Sequence, residues 1–557
     1  MLGSVIFLQD LREEVSMKTI FTNGVFYSMD NKNTVYSTLV TRNGKITDVY
    51  KHNISSLEES ETQLVDLHGA TVLPGFIDTH LHLLDYALFE KRLVSLSGVR
   101  SVEQLIKKVQ AFIDEIKPHE GDWVEGFGWD QEAFEDGNFP TAKQLDLISK
   151  KHPIMLIRRC STICVANSLA MELSGIDRDT PDPTGGKIVR DNEGHPTGLM
   201  LESAMSLVGN TIPKIKDKAL IKELLLFSIG ELLKNGITVA HTEDFTSVAD
   251  KKVLWDAYTE LQAERKLPIY LVLQMRIRTP EQIEEAKSFG LTSWQSDRRI
   301  KMGPLKLLGD GTLGGWSAAL KKPYSDRPNT KGLLYYSEEE MTALCRKAID
   351  NDFDLTIHAI GDAAVEMFLD SCLTLKGDVE EKKLRPSIIH SQIMSEEIFE
   401  KYLQLPGSNA IIQPMYIHSD WEMAQDRVGE RIATSYCYKK IYDMGIHISA
   451  GSDLPIESVN PFHAIQVMVT RQDLSGQPVG GWLPEERMSI LEALKLHTIN
   501  GAFVSKDEDR FGTLEPGKTA NFVIVSEDPF LTPNHRLKEI RIEKTYVDGQ
   551  CVFERIK

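Results

Sequence analysis

Short apolar runs alternate with amphipathic stretches over most of the chain. Eight of these runs read as buried strands: Val72 to Leu83, Gly236 to His241, Ile269 to Gln274, Met302 to Leu308, Asp354 to His358, Ser387 to His390, Ala410 to Gln413 and Ile446 to Ala450. Segments between them, such as Val102 to Ile116 (V-E-Q-L-I-K-K-V-Q-A-F-I-D-E-I) and Lys218 to Asn235, space their apolar residues as helices do. Strands alternating with helices are the mark of parallel βα units. Eight such units predict an α/β fold of the (β/α)8, TIM-like barrel type. A doubly wound sheet fits less well, because no Gly-rich phosphate loop follows the first strand.

The two ends of the chain follow another rhythm. Lys18 to Tyr50 and Leu64 to Val72 read as short strands, with Asn23-Gly24 and Asn43-Gly44 as hairpin turns. Gly512 to Ser526 and Ile540 to Glu554 repeat the pattern around Asp548-Gly549. The expected organisation is therefore a small composite β-sandwich built from both termini (17–72 and 505–557) and a barrel over 73–504. Residues of about 120 to 215 lose the βα rhythm and are rich in Gly, Pro, Asp and aromatic residues. They are expected to form an inserted lid subdomain over the strand ends. Residues 1–16 hold S-V-I-F-L followed by acidic residues, without the basic flank or small-residue cleavage site of a signal peptide. They read as a leader with no part in the fold.

Composition narrows the function. With 557 residues, 41% hydrophobic and 26% charged, the chain can bury a large core. The 63 basic residues are outnumbered by 81 acidic ones, a net charge of -18. That argues against nucleic acid or an anionic membrane surface as partner and mildly for solubility. No apolar run approaches the roughly 18 residues of a membrane span. The six cysteines, at 160, 164, 345, 372, 437 and 551, form no C-x-x-C pair. They read as reduced thiols of a cytoplasmic protein.

The polar residues that end the strands carry the chemistry. V-L-P-G-F-I-D-T-H-L-H-L, from Val72 to Leu83, places His80 and His82 two apart on a strand, so both point the same way. Two imidazoles side by side can hold one metal ion. Other strand ends carry His241, Lys306, His358 and His390, and Asp453 follows the last strand. A count along the chain puts His241 on the third strand and Lys306 on the fifth. An ordered H-x-H, Lys, His, His, Asp set at the C-terminal mouth of a barrel is a catalytic pattern rather than a packing pattern.

With these residues the sequence resembles the amidohydrolase superfamily, in its YtcJ-like, amidohydrolase-3 branch of the N-substituted formamide deformylase type. The matching segments are P-G-F-I-D-T-H-L-H, N-E-G-H-P-T-G, K-L-L-G-D-G-T-L-G-G, K-P-Y, L-T-I-H-A-I-G-D, S-I-I-H-S-Q, S-A-G-S-D-L-P and H-T-I-N-G-A. The resemblance implies that His80, His82 and Asp453 hold a buried divalent ion, with zinc the expected metal. His358 and His390 hold a second ion where two are bound, and Lys306 bridges them as a carbamate. It puts Lys306 on the fourth strand, in conflict with the flat count. The alternative for Lys306 is an unmodified lysine paired with Asp310. The resemblance also implies a homodimer and brings His195 towards the pocket. Asp362 is expected either to orient His358 or to cap the next helix. His241, Trp129 and Trp316 are further candidates for substrate binding, as are the loops from Met415 to Arg431 with His418, Trp421 and Arg427.

The implied reaction is hydrolysis of a C–N, amide-type bond in a small N-acyl or N-formyl compound. A metal-activated hydroxide attacks and Asp453 acts as general base. A cyclic amide or an ester is the alternative substrate on the same site, and a catalytically silent barrel used for binding is the competing class. Retention of Asp453 favours the enzyme. One departure from the family pattern concerns specificity. In R-R-C-S-T-I-C-V-A-N-S, Ser161 and Thr162 stand where the family has Gly and His, whereas Asn167 and Ser168 keep the pattern.

Overall fold

The computed structural model describes residues 18–54, 62–159, 163–183 and 186–556. The expected leader, residues 1–16, lies outside them, as do Cys160, Ser161 and Thr162.

Eight strands line up in parallel, in chain order: β1 (Phe76–Leu81), β2 (Ile237–Thr242), β3 (Tyr270–Arg276), β4 (Ile300–Leu308), β5 (Leu355–Ala359), β6 (Ser387–His390), β7 (Asn409–Ile412) and β8 (His447–Ala450). Each pairs with the next. The ring is nearly closed between β8 and β1, where Thr79 Oγ1 donates to the Ala450 carbonyl at 3.0 Å. Beyond the strand ends, the Asp453 N–H donates to the His80 carbonyl and the His82 N–H to the Leu454 carbonyl, each at 2.8 Å. This is the expected (β/α)8 barrel, with additional sheets.

Two strand assignments change. The run Val72 to Leu83 is not one strand. Thr71–Pro74 belongs to a separate sheet, and the chain breaks at Gly75 before β1. A Cβ at Gly75 would lie 2.4 Å from Thr238 Oγ1, so only glycine fits between the two strands. Lys306 stands on the fourth strand and His241 on the second, not on the fifth and third. Each of the eight runs contains a barrel strand, and the flat count is out by one.

The terminal sheet draws strands from both ends of the chain, in the order Gln550–Glu554, Ile542–Val547, Phe522–Val525, Thr71–Pro74, Lys18–Tyr27, Val35–Arg42 and Lys45–Tyr50. Thr62–Asp66 also pairs with Lys18–Tyr27. Thr71–Pro74 runs antiparallel to Phe522–Val525 and joins the two ends. Phe21, Phe26, Leu39, Ile46, Phe522 and Tyr546 form its core.

Ala87–Ile215 is a second compact unit. Its six-stranded sheet, Leu93–Ser95 to Pro196–Glu202, packs on the helix Val102–Ile116 through Val102, Leu105 and Val109. That helix has the expected 3.6-residue period and is capped by Ser101, whose side chain accepts from the Gln104 N–H. Among the described residues no helix is long and apolar enough to cross a membrane. The described cysteines are all free thiols.

Candidate metal centre

His80 and His82 leave the end of β1, and Asp453 follows β8. Asp78 Oδ1 fixes this junction by accepting the N–H groups of His80 at 3.1 Å and Ser452 at 3.0 Å. Asp453 adopts a left-handed backbone, φ +57, uncommon for a residue with a Cβ. Asp453 Oδ1 lies 3.2 Å from His80 Nε2 and 3.6 Å from His82 Nε2. One ligand atom from each of the three falls within 4.8 Å of the others, close enough to share one ion. Lys306 Nζ from β4 lies 3.0 Å from His80 Nε2. His358 from β5 and His390 from β6 complete the ring, with His358 Nδ1 2.8 Å from His390 Nε2. The His80 and His390 rings are 6.2 Å apart and link the two groups.

Partners behind the imidazoles determine which nitrogen is free. His82 Nδ1–H donates to the Glu243 carbonyl at 2.7 Å. His358 Nε2–H donates to the Gly311 carbonyl at 3.0 Å, and His390 Nδ1–H donates to Gln413 Oε1 at 2.7 Å. In their neutral forms His82, His358 and His390 therefore each turn an unprotonated nitrogen into the site. Two such lone pairs 2.8 Å apart repel each other unless a cation sits against them, and neutral imidazole is the form that binds zinc. The donor set fits a divalent ion.

The electrostatics agree at His80, His358 and His390, which burial lowers, whereas the Asp453 carboxylate raises His82 against its burial. Burial pushes His80 down to about 3 and His358 to about 4, with Lys306 adding to the effect in both. Burial also lowers Lys306 to about 8, against the pull of Glu243 and Asp453. Asp453 is held well below the usual carboxylate range despite its burial, by the His80 and His82 imidazoles that lie against it.

The structure thus brings together His80, His82, Lys306, His358, His390 and Asp453. It does not pair Lys306 with Asp310. Asp310 accepts the N–H groups of Ala319 and Gly361 at 2.8 Å and of Ile360 at 3.1 Å, and it lies 3.5 Å from His358 Nε2. Asp362 does not orient His358 either; it begins the helix Asp362–Thr374 and accepts the Lys321 N–H. His241 is fully buried on β2, with no hydrogen-bond partner on either ring nitrogen.

Trp316 donates its indole N–H to Asp326 and lies under the guanidinium groups of Arg427 and Arg327, at 3.7 and 4.4 Å from the ring centre. Arg427 also pairs with Asp326. His418 and Trp421 lie on the helix Tyr416–Val428. In the second unit, His195 is exposed at a hairpin turn whose Asp191 accepts its N–H. Trp129 is wholly buried in that unit's core and donates to the Leu156 carbonyl at 2.9 Å. Its place is in packing rather than in a pocket wall. Asn167 caps the helix Ser168–Leu173, a structural reason for its place in the pattern.

Sequence reasoning missed Gln413, Glu243, Gly311 and Tyr416. The Tyr416 hydroxyl donates to Asp453 Oδ2 at 2.5 Å. Only Gln413, a polar residue ending an apolar run, left a signal in the sequence.

Comparison with known proteins gives the family. The amidohydrolase family profile matches residues 63–553. YtcJ of Bacillus subtilis, named as an amidohydrolase, is 31% identical over 543 residues, covering 97% of this chain and all of that one. The N-substituted formamide deformylase of Arthrobacter pascens is 26% identical, over 95% of this chain and 97% of its own. The crystal structure of an uncharacterized metal-dependent hydrolase from Pyrococcus horikoshii superposes with a TM-score of 0.77 at 28% identity, covering 93% of this chain and 99% of that one. The chain belongs to the amidohydrolase family, a family of metal-dependent hydrolases built on this barrel.

Proposed function

We propose that the protein hydrolyses a carbon–nitrogen bond outside peptides, in a small N-acyl or N-formyl compound. The observation that carries this reading is the gathering of four imidazoles around one carboxylate and one lysine in a buried site. The resemblance to the formamide deformylase of Arthrobacter pascens supports the N-formyl end of the range.

His80, His82 and Asp453 would hold one divalent ion, zinc by the character of the donors. His358, His390 and a carboxylated Lys306 would hold a second. A bound ion supplies Lewis acidity to the substrate carbonyl and lowers the pKa of a water molecule. The rest is done by the protein. Asp453 remains ionised at neutral pH and can accept the proton released when water attacks the carbonyl carbon. It can then return that proton to the departing nitrogen, which leaves as an amine. Burial of His80, His390 and Lys306 keeps bulk water from competing for their atoms. An ammonium has no lone pair, so Lys306 can serve as a ligand only after its neutral amine has taken up CO₂. The lowered pKa of Lys306 makes that neutral form accessible.

The test is elemental analysis of the purified chain after zinc reconstitution, together with a panel of N-formyl and N-acyl amides. Two equivalents of zinc, a ¹³C carbamate signal after growth with labelled bicarbonate, and amine release are expected. A chain that takes up no metal and cleaves none of the panel would overturn the reading.

A further inference from the structure

Strand β7 contributes no ligand to the cluster, yet the residues that follow it reach the ligands on both neighbouring strands. Gln413, just past the strand, holds His390 at the end of β6. Three residues on, Tyr416 opens the helix Tyr416–Val428 and holds Asp453 after β8. The Tyr416 ring lies nearly parallel to the His390 ring, at 12° with centroids 5.7 Å apart. One side chain therefore touches a residue from each half of the site.

The two oxygens of Asp453 are used differently. Oδ1 faces His80 and His82, and Oδ2 accepts the Tyr416 hydroxyl. The terminal torsion of an aspartate is soft, so Oδ1 stays aimed only if something holds the other oxygen. A short O–H···O⁻ bond does this. Among the described residues, Tyr416 is the only residue outside the cluster whose side chain bonds to the Asp453 carboxylate. We propose that Tyr416 is a positioning residue that sets the rotation of the Asp453 carboxylate for proton transfer and steadies the His390 ring by stacking on it. This rests on the function proposed above and adds a role for the loop after a strand that supplies no ligand.

Tyr416→Phe keeps the ring and the stack and removes only the hydroxyl. Its kcat should fall about 10- to 100-fold, the usual effect of losing a partner behind a ligand. KM and metal content should stay at the wild-type level. The visible absorption of the cobalt-loaded protein should shift, because Asp453 turns. Tyr416→Leu also removes the stack, so it should lose more turnover and release part of its cobalt to a chelator faster than Tyr416→Phe. Wild-type kcat with a wild-type cobalt spectrum in Tyr416→Phe would overturn the role of Tyr416 and leave the hydrolase intact. A parallel loss of metal and turnover in that variant would also overturn it, since Tyr416 would then act only to retain the ion. A wild-type chain that takes up no cobalt would overturn the proposed function, and this role with it.

Discussion

Two lysines on β4 are both buried and stand near opposite ends of the strand. Lys301, near its start, places Nζ 2.6 Å from the Asp507 carboxylate and 2.8 Å from the Ser505 carbonyl. Lys306, near its end, has Nζ against an imidazole nitrogen of His80 and no carboxylate in bonding contact. Burial lowers both, but Asp507 resists the change at Lys301, and only Lys306 comes down to about 8. The difference follows the division of labour in barrels, where one end serves stability and the other chemistry. It shows that a buried charge is not in itself a functional signal. The partner decides. A lysine satisfied by a carboxylate and a carbonyl is structural, whereas one left among imidazoles is available for reaction.

The contrast can be broken in order of effect. Asp453→Asn should keep its fold and metal but lose about 10²- to 10⁴-fold in kcat, the usual worth of a positioned proton acceptor. Near-normal turnover in that variant would remove Asp453 from the mechanism. Lys301→Met should cost roughly 1–3 kcal/mol in urea denaturation, because Asp507 loses the nearer of its two cations and keeps only Arg510, whose Nη1 lies 3.1 Å away. Adding Asp507→Leu should restore much of that loss, and both variants should keep normal metal content. Lys306→Met should show the reverse pattern, with little change in stability but reduced metal stoichiometry and turnover. If the two lysine variants behaved alike, the distinction between the strand ends would be wrong.

Gln413→Leu tests the support behind His390. It should weaken metal retention by about 10- to 100-fold in chelator competition, and unchanged affinity would argue that Gln413 serves packing alone. The smallest effect concerns His241, which burial and the charge of Lys301 push down to about 3. His241 is neutral in the fold but would take up a proton in the unfolded chain below about 6.5. Stability should therefore fall as pH drops from about 6.5 towards 3, by at most ~1.4 kcal/mol per pH unit from this one group. His241→Leu should flatten that limb and leave the curve above pH 7 unchanged. An identical slope in both proteins would show that His241 does not set it.

The strands and the clustering of His80, His82, Lys306, His358, His390 and Asp453 were legible because polar residues ending several successive apolar runs share one mouth of the barrel. The entry into β1 was not, since Thr71–Pro74 and β1 read as one apolar run and only Gly75 separates them. The carbonyls of Glu243 and Gly311 were invisible for a different reason. Every residue carries a carbonyl, so nothing in the sequence marks the two that fix His82 and His358. Tyr416 meets Asp453 across 37 positions, a contact with no local signature. Trp129 misled because an aromatic residue among glycines looks the same in sequence whether it lines a pocket or fills a core.

Asp78 and Ser452 meet across 374 positions of chain. In kinetic terms the centre is a product of late assembly. His80 and His82 cannot meet Asp453 until six intervening strands have found their register, and loops that long close slowly. A growing polypeptide therefore carries His80 and His82 long before Asp453 can join them. The site belongs to the finished ring and cannot act during synthesis.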